Sequence, residues 1–357
     1  MTDKNLDKLR QEIDALDDHI LELLNRRAAV AQQVGKVKAA HSQTFYVPSR
    51  ERAIYERLAA GNPGPFPNEA VRKVFREIIS ASLSLEEPLK VAFLGPKATF
   101  THVAAMQQFG LSAELVAQKG ISQVFEEVER GRAEFGVVPV ENSNEGIVSH
   151  TLDMFMESEL KINAEILLEI SHDLLSQSGS LAGVERVCSH PQALGQCRNW
   201  LEENLPELPL VDVASTALAA QMAAEDPSVA AIASEAAGNL YGLQVAKSKI
   251  EDHPNNFTRF LVVGQTMPKP SGNDKTSIMF SVKDEPGILY RMLQPFSSRQ
   301  INLSKIESRP MKRKAWEYIF FLDMEGHVAE ETIAEALEDL KQYCQFIKVL
   351  GSFPRGR

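Results

Sequence analysis

The sequence predicts a multidomain chain: all-α at its start, two-lobed α/β through its middle and ferredoxin-like at its end. Three observations predict it. The first forty residues repeat apolar side chains three and four apart (Leu6, Leu9, Ile13, Leu16, Ile20, Leu23, Val30, Val34, Val37), the spacing of one long helix with an a/d seam. From Lys90 the texture changes to short β-rich runs alternating with helical stretches, an α/β pattern. After Pro268-Lys269-Pro270-Ser271-Gly272 the order becomes βαββαβ. The expected domains are residues 1–88, 89–267 and 275–353.

The elements follow in order. Thr2 or Asp3 can cap the long helix. Ser49, after Pro48, can cap a second helix over Arg50–Ala60, which Gly61-Asn62-Pro63-Gly64-Pro65 breaks. Asn68 can cap a third, with a core stripe at Val71, Val74, Phe75, Ile78, Ile79, Ser82 and Leu85. Three helices, one about 55 Å long, cannot bury the first seam by themselves; a dimer is expected. Glu87-Pro88 marks the first boundary. Strands are expected at Val91–Leu94, Phe135–Val138, Arg186–Cys188, Ala230–Ala233 and Phe260–Val263. About 180 residues of this pattern suggest two lobes. In the last segment the reading is β Thr276–Lys283, α Ile288–Arg299, β Leu303–Ser308, a hairpin, β Trp316–Met324, α Ala329–Tyr343 and β Phe346–Leu350.

Arg27 breaks the first seam by placing a guanidinium in a leucine slot. A charge on a packing face is costly unless satisfied. One reading is a register-fixing or snorkelling arginine; the other is an anion bound inside a helical bundle. Lys38, eleven residues on, lies about 20° off the same face and about 16 Å along the axis, so both could grip one small dianion. Arg10 is about 25 Å from Arg27 and about 100° round the helix. It could join that ligand only from a second protomer.

Bulk properties exclude several classes. The formal charge of −10 over 357 residues argues against general nucleic-acid or anionic-membrane binding. That charge lies beyond Pro88, because the first segment balances 13 Lys+Arg against 13 Asp+Glu. Cys188, Cys197 and Cys344 form neither a metal pattern nor an even disulfide set. No cofactor or metal is expected. The opening Met-Thr-Asp-Lys-Asn leads into a charged amphipathic helix without a signal pattern, and no apolar run reaches eighteen, so a cytoplasmic protein is expected.

With Arg10, Arg27, Lys38, Arg50-Glu51, Ser82 and Glu86 in place, the first segment resembles the helical chorismate mutases. The middle segment is similar to prephenate dehydratase. It carries Gly95-Pro96 with Ala98-Thr99-Phe100, Val140-Glu141-Asn142-Ser143, Ser189-His190-Pro191-Gln192, Ser215-Thr216-Ala217, Ser234-Glu235-Ala236-Ala237 and Asn256-Phe257-Thr258-Arg259-Phe260. The last segment resembles an ACT regulatory domain through Pro286-Gly287-Ile288-Leu289 and Glu307-Ser308-Arg309-Pro310. Their order and spacing match the bifunctional mutase–dehydratases over nearly the whole chain.

The resemblance implies conversion of chorismate to prephenate and of prephenate to phenylpyruvate, with L-phenylalanine as inhibitor and a homodimer or higher oligomer as the assembly. The pericyclic first step needs no nucleophile. It needs a held conformer and stabilised charge on the breaking ether oxygen. By resemblance, Arg10 of a second protomer and Arg27 take the two carboxylates, a task suited to the planar guanidinium fork. Lys38 donates to the ether oxygen, Glu86 lies on its other side, Glu51 accepts from the substrate hydroxyl, and Ser82 shares a face with Glu86. Glu51 could instead simply favour a helix N-terminus, Ser82 fill a core and Glu86 lie solvated at the linker.

Two positions depart from the family pattern. Many relatives carry Gln at Glu86, so a protonated Glu86 is expected, its pKa raised by burial. A family acid near the second helix aligns with Val47, which therefore stays out of the site.

For the dehydratase, the resemblance puts proton donation on Thr258. Its other reading is a structural hydroxyl in a loop leading into a strand. Asn142, Ser143, Gln192, Ser215 and Thr216 are expected to bind substrate from loops after strands. Arg259 is either a carboxylate ligand or a structural ion pair. His190 reads as a hydrogen-bonding residue rather than a base. Gly287, Leu289, Glu307, Ser308 and Arg309 are the expected inhibitor residues at an ACT interface; a domain that only dimerises is the plainer alternative. Two alternative functions stay open: arogenate as the preferred dehydratase substrate, and a non-enzymatic two-lobed solute binder with an amino-acid sensor.

Overall fold

The computed structural model describes residues 3–40, 48–85, 88–282, 285–310 and 318–356. It divides into two compact units, Met1–Leu89 with Phe109–Glu114, and Lys90–Gln108 with Leu115–Arg357.

The smaller unit is built on α1 (Asp3–Ala40), α2 (Pro48–Ala60) and α3 (Asn68–Ser84). The expected periodicity holds, but the expected caps do not. α2 begins at Pro48 and takes Ser49 inside it, because proline's fixed φ suits a first helical turn. Pro67 stands before α3 with no side-chain cap bond, while the Asn68 carboxamide oxygen accepts from Asn62 Nδ2 at 2.7 Å. Thr2 lies outside the described residues. α3 buries Ile79, Ser80 and Ser82. The seam of α1 lies open, with Ile13 56% and Leu16 58% exposed.

The larger unit holds three sheets. The first runs β2 (Glu114–Gln118), β1 (Lys90–Leu94), β3 (Phe135–Asn142), β11 (Phe257–Gly264), β5 (Lys161–Glu169), with β4 (Gly146–Ile147) on β3. The second runs β10 (Gln244–Lys247), β6 (Asp173–Ser176), β9 (Val229–Ala233), β7 (Arg186–Ser189), β8 (Leu210–Asp212). These are the two expected lobes. The chain passes between them at 170–172 and at 248–256, and the passages are tied: Ile170 N donates to Asn256 O at 2.7 Å and Ile250 N to His172 O at 2.9 Å.

Each of the five expected middle strands is present and runs longer than its sequence core. β5 escaped the sequence reading because Asn163 and Glu165 are buried on it, so no apolar run marks it. Among the helices, α6 (Ser149–Glu157) packs on the first lobe. α7 (Pro191–Gln196), α9 (Thr216–Glu225) and α10 (Glu235–Tyr241) follow strands of the second.

The third sheet runs β13 (Leu303–Pro310), β14 (Tyr318–Glu325), β12 (Asp274–Val282), β15 (Cys344–Pro354), the ferredoxin-like order. α11 (Ile288–Ser298) and α12 (Glu331–Lys341) cover one face, where Phe280, Phe320, Leu322 and Met324 meet Met292 and Leu337. The other face gives Met279, Ile319, Phe321 and Phe353 to the core of the first lobe. A Cβ on Gly351 would strike the Ile162 backbone, so only glycine permits this approach of β15 to β5. The start of the expected strand at Trp316 lies outside the described residues.

Candidate active sites

In the helical unit, Arg27 is half-buried and held by α3. It donates to Ser82 Oγ and to Ile78 O at 3.4 Å, while Ser82 Oγ donates to Ile78 O at 2.6 Å. Burial lowers the guanidinium's pKa, a group that still stays charged. The structure therefore brings Arg27 and Ser82 together, and Ser82 orients the arginine as well as filling space. Lys38 lies half-buried in the last turn of α1, on the strip that Arg27 begins. Arg10 is exposed and pairs with Asp7 at 3.6 Å, far along the same helix. Glu51 sits in the first turn of α2. Burial pushes its carboxyl up to about 8, and a hydrogen bond from Tyr55 one turn on pulls it partly back. Tyr55 was not foreseen; only its i,i+4 spacing from Glu51 hinted at the pair. Glu86 and Val47 lie outside the described residues.

In the two-lobed region, strand polarity gathers the motifs. β1 and β3 are parallel, and β11 starts where β3 ends, so Gly95-Pro96, Asn142 and Thr258 share one edge of the first sheet. β7, β8 and β9 are parallel, so the loops after them, with Ser189-His190, Ser215 and Ser234, share one edge of the second. Ser234 Oγ reaches Ala98 O at 3.5 Å, and Asn256 Nδ2 donates to Gln196 Oε1 at 2.9 Å, so the two edges meet.

Thr258 is a register partner of Asn142 and almost fully buried. Its Oγ accepts from Asn142 Nδ2 at 2.8 Å, which leaves the hydroxyl hydrogen to donate elsewhere. The same carboxamide donates to Asn256 Oδ1 at 2.8 Å, and its oxygen accepts from the amides of Asn144 and Glu145 at 2.9 and 3.0 Å. The chain continues through Gln196 to His172 Nε2 at 2.8 Å. Gln196 accepts there, so His172 carries its proton on Nε2. Its buried Nδ1 has no partner among the described residues, and burial lowers its pKa. Gln196 and His172 were missed because no spacing links them to Thr258.

The remaining expected residues divide. Ser143 stitches strand ends, accepting from Phe257 N at 3.0 Å and donating to Asn255 O at 3.3 Å. Ser215 caps α9 through Leu218 N at 3.0 Å, with Thr216 opening that helix. Gln192 is exposed, and its amide donates to His190 Nδ1 at 3.3 Å, so His190 is a helix cap. Arg259 resolves to the ion pair: it donates to Glu165 at 2.8 Å and to Asp323 of β14 at 2.7 Å, and its guanidinium is 12% exposed. Of the two readings left open for Arg259, these two anionic partners favour the structural ion pair.

On the ferredoxin-like sheet, β13 divides its own motif. Ser308 pairs in register with Phe320 on the helix-covered face, where Gly287, in the left-handed region at φ 79°, opens α11 and Leu289 stands 55% exposed. Glu307 and Arg309 pair with Phe321 and Ile319 on the opposite face. There Arg309 donates to Ser149 O and, at 2.9 Å, to Asp153 of α6.

Fold and sites together define an enzyme with a helical module, a two-lobed α/β module and an ACT-type regulatory module. Residues 9–87 match chorismate mutase type II, residues 91–268 prephenate dehydratase and residues 276–342 the ACT domain. The chain is 52% identical to the bifunctional chorismate mutase/prephenate dehydratase of Aquifex aeolicus, covering 99% of this chain and 98% of that one. It is 44% identical to the enzyme of the same name from Pseudomonas aeruginosa, over 98% of each. A solved prephenate dehydratase from Arthrobacter aurescens in complex with L-Phe superposes with TM-score 0.69 and 36% identity, covering 75% of this chain and 90% of that one. This chain belongs to the bifunctional chorismate mutase/prephenate dehydratase family.

Proposed function

We propose that the chain turns chorismate into prephenate in the helical unit and prephenate into phenylpyruvate between the two lobes, under feedback control by L-phenylalanine. The domains doing so are residues 1–88, 89–267 and 275–353. The observation that carries the reading is the bond from Asn142 to the buried Thr258. An amide donor fixes the threonine oxygen and frees its hydrogen for the hydroxyl that departs from prephenate. The ring C–O bond breaks as the ring carboxylate leaves as carbon dioxide, and the electron pair of the broken C–C bond completes the aromatic ring. Thr258 is a weak acid; aromatisation supplies the drive and Thr258 the alignment. Asn142, Ser143, Gln192, Ser215 and Thr216 collect the substrate from the two facing edges.

In the mutase, Arg27, set by Ser82, takes one carboxylate, and Arg10 of a second protomer takes the other. Lys38 and a protonated Glu86 donate to the ether oxygen. Glu51, mostly protonated at neutral pH, accepts from the substrate hydroxyl through its carbonyl oxygen without repelling the dianion. The open seam of α1 is the surface that pairs the protomers. In the ACT domain, Gly287, Leu289, Glu307, Ser308 and Arg309 answer to the amino acid, Gly287, Leu289 and Ser308 from the helix-covered face and Arg309 from the other face through Ser149 and Asp153 of α6. A cytoplasmic setting fits these substrates, and among the described residues no helix is long and apolar enough to cross a membrane.

Purified protein given chorismate, and separately prephenate, tests the reading by ultraviolet absorbance. Both are consumed if it holds; a folded protein inert on both would sink it.

A further inference from the structure

β3 and β11 carry Asn142 and Thr258 as register partners, and the next pair along is Glu141 with Arg259. Strand alternation turns that second pair to the opposite face of the sheet. On the facing sheet, Lys305 of β13 and Asp323 of β14 are themselves register partners. Each cross-strand pair holds one cation and one anion, and they dock crosswise. Arg259 Nη1 meets Asp323 Oδ2 at 2.7 Å, and Lys305 Nζ meets Glu141 Oε2 at 2.7 Å. The two ladders also slip beside the quartet, between Arg259 and Phe260 on one sheet and between Leu303 and Lys305 on the other. Such irregularities re-aim side chains. Glu165, 2% exposed, closes the cluster by taking Arg259 Nε and Lys275 Nζ, each at 2.8 Å. Ser277 Oγ donates to the second oxygen of Asp323.

We propose that Lys305 and Asp323 are positioning residues for the dehydration. From the regulatory sheet they grip Glu141 and Arg259, and so set the relative placement of the two strand ends on which Asn142 and Thr258 must meet. The inference rests on the proposed role of Thr258. Arg259, Asp323 and Lys305 are 12%, 9% and 16% exposed and Glu141 is 38% exposed, so the Arg259–Asp323 side of the quartet is shielded from water and the Lys305–Glu141 side is its wetter edge. It also places β13 between two tasks. The face bearing Ser308 belongs to the amino-acid pocket, and the face bearing Lys305 holds the catalytic strands. A shift of β13 on ligand binding reaches Thr258 through one residue pair.

The test uses the full chain with Lys305→Met, Asp323→Asn and Lys305→Arg. Lys305→Met and Asp323→Asn are expected to lower dehydratase kcat about tenfold, with KM for prephenate changed less than twofold. Mutase rate and the far-ultraviolet circular dichroism spectrum should match wild type, and inhibition by added L-phenylalanine should weaken. Lys305→Arg should recover most of the lost kcat, because a cation still reaches Glu141. Wild-type kcat and inhibition in both neutral variants would overturn the inference, as would an arginine variant no better than methionine. Wild-type protein inert on prephenate would instead overturn the reading of Thr258 itself.

Discussion

In the proposed mechanism Thr258 and Glu51 are the single groups on which each reaction turns. Thr258→Val keeps the shape and removes the proton, so dehydratase turnover should fall by about 10²–10⁴ while chorismate is still consumed at the wild-type rate. Unchanged turnover on prephenate would return Thr258 to a structural role. Glu51 carries its own pH signature. A carboxyl held up to about 8 is neutral below that pH and anionic above it. Its ionisation sets a negative charge beside a dianion, so KM for chorismate should be level through neutrality and climb above pH 8. Glu51→Gln should level it throughout. Glu86, acting only on charge that develops in the transition state, should leave its mark on kcat instead: kcat falls as pH rises, and Glu86→Gln flattens that fall. Arg27, Thr258 and Asn142 were legible because a charge on a seam and an ordered motif stand out in one dimension. Tyr55, Gln196, His172 and the partners of Arg259 were not, since they are chosen by which strand ends meet in space.

At the scale of elements, α1 and β5 illustrate two sides of the same periodicity rule. α1 was readable along its seam because its apolar residues recur three and four apart over most of its length. Leu16→Lys or Ile20→Lys should separate protomers on sedimentation analysis and abolish mutase turnover while sparing the dehydratase. A monomer with full mutase activity would contradict the role given to Arg10. β5 was unreadable because Glu165 and Asn163 point inward to specific partners, and a buried polar residue erases an apolar strand pattern. The caps foreseen at Ser49 and Asn68 failed for local reasons: α2 takes its first turn at Pro48, and the Asn68 carboxamide oxygen accepts from Asn62 instead. Where β15 lies on β5, Gly351→Ala should cost about 1–3 kcal/mol in urea unfolding of the larger unit, because an added methyl meets backbone rather than a yielding side chain.

Over the whole molecule, the three modules that the family matches show were visible as three textures. What the sequence could not show is that the ACT sheet is covered on both faces, by its own helices and by the first lobe. Alternation along β13 therefore carries two messages, one per face, and its motif was read as a single cluster. L-Phenylalanine should slow the dehydratase and leave the mutase nearly untouched, because the ACT sheet shares its core with the lobe that carries Thr258. The central claim is that one chain holds two independent active sites. The most direct measurement follows chorismate and prephenate consumption by ultraviolet absorbance in wild type, Arg27→Ala and Thr258→Ala. The account predicts that Arg27→Ala loses only chorismate conversion and Thr258→Ala only prephenate conversion; loss of both reactions in either folded variant, or of neither, would contradict it.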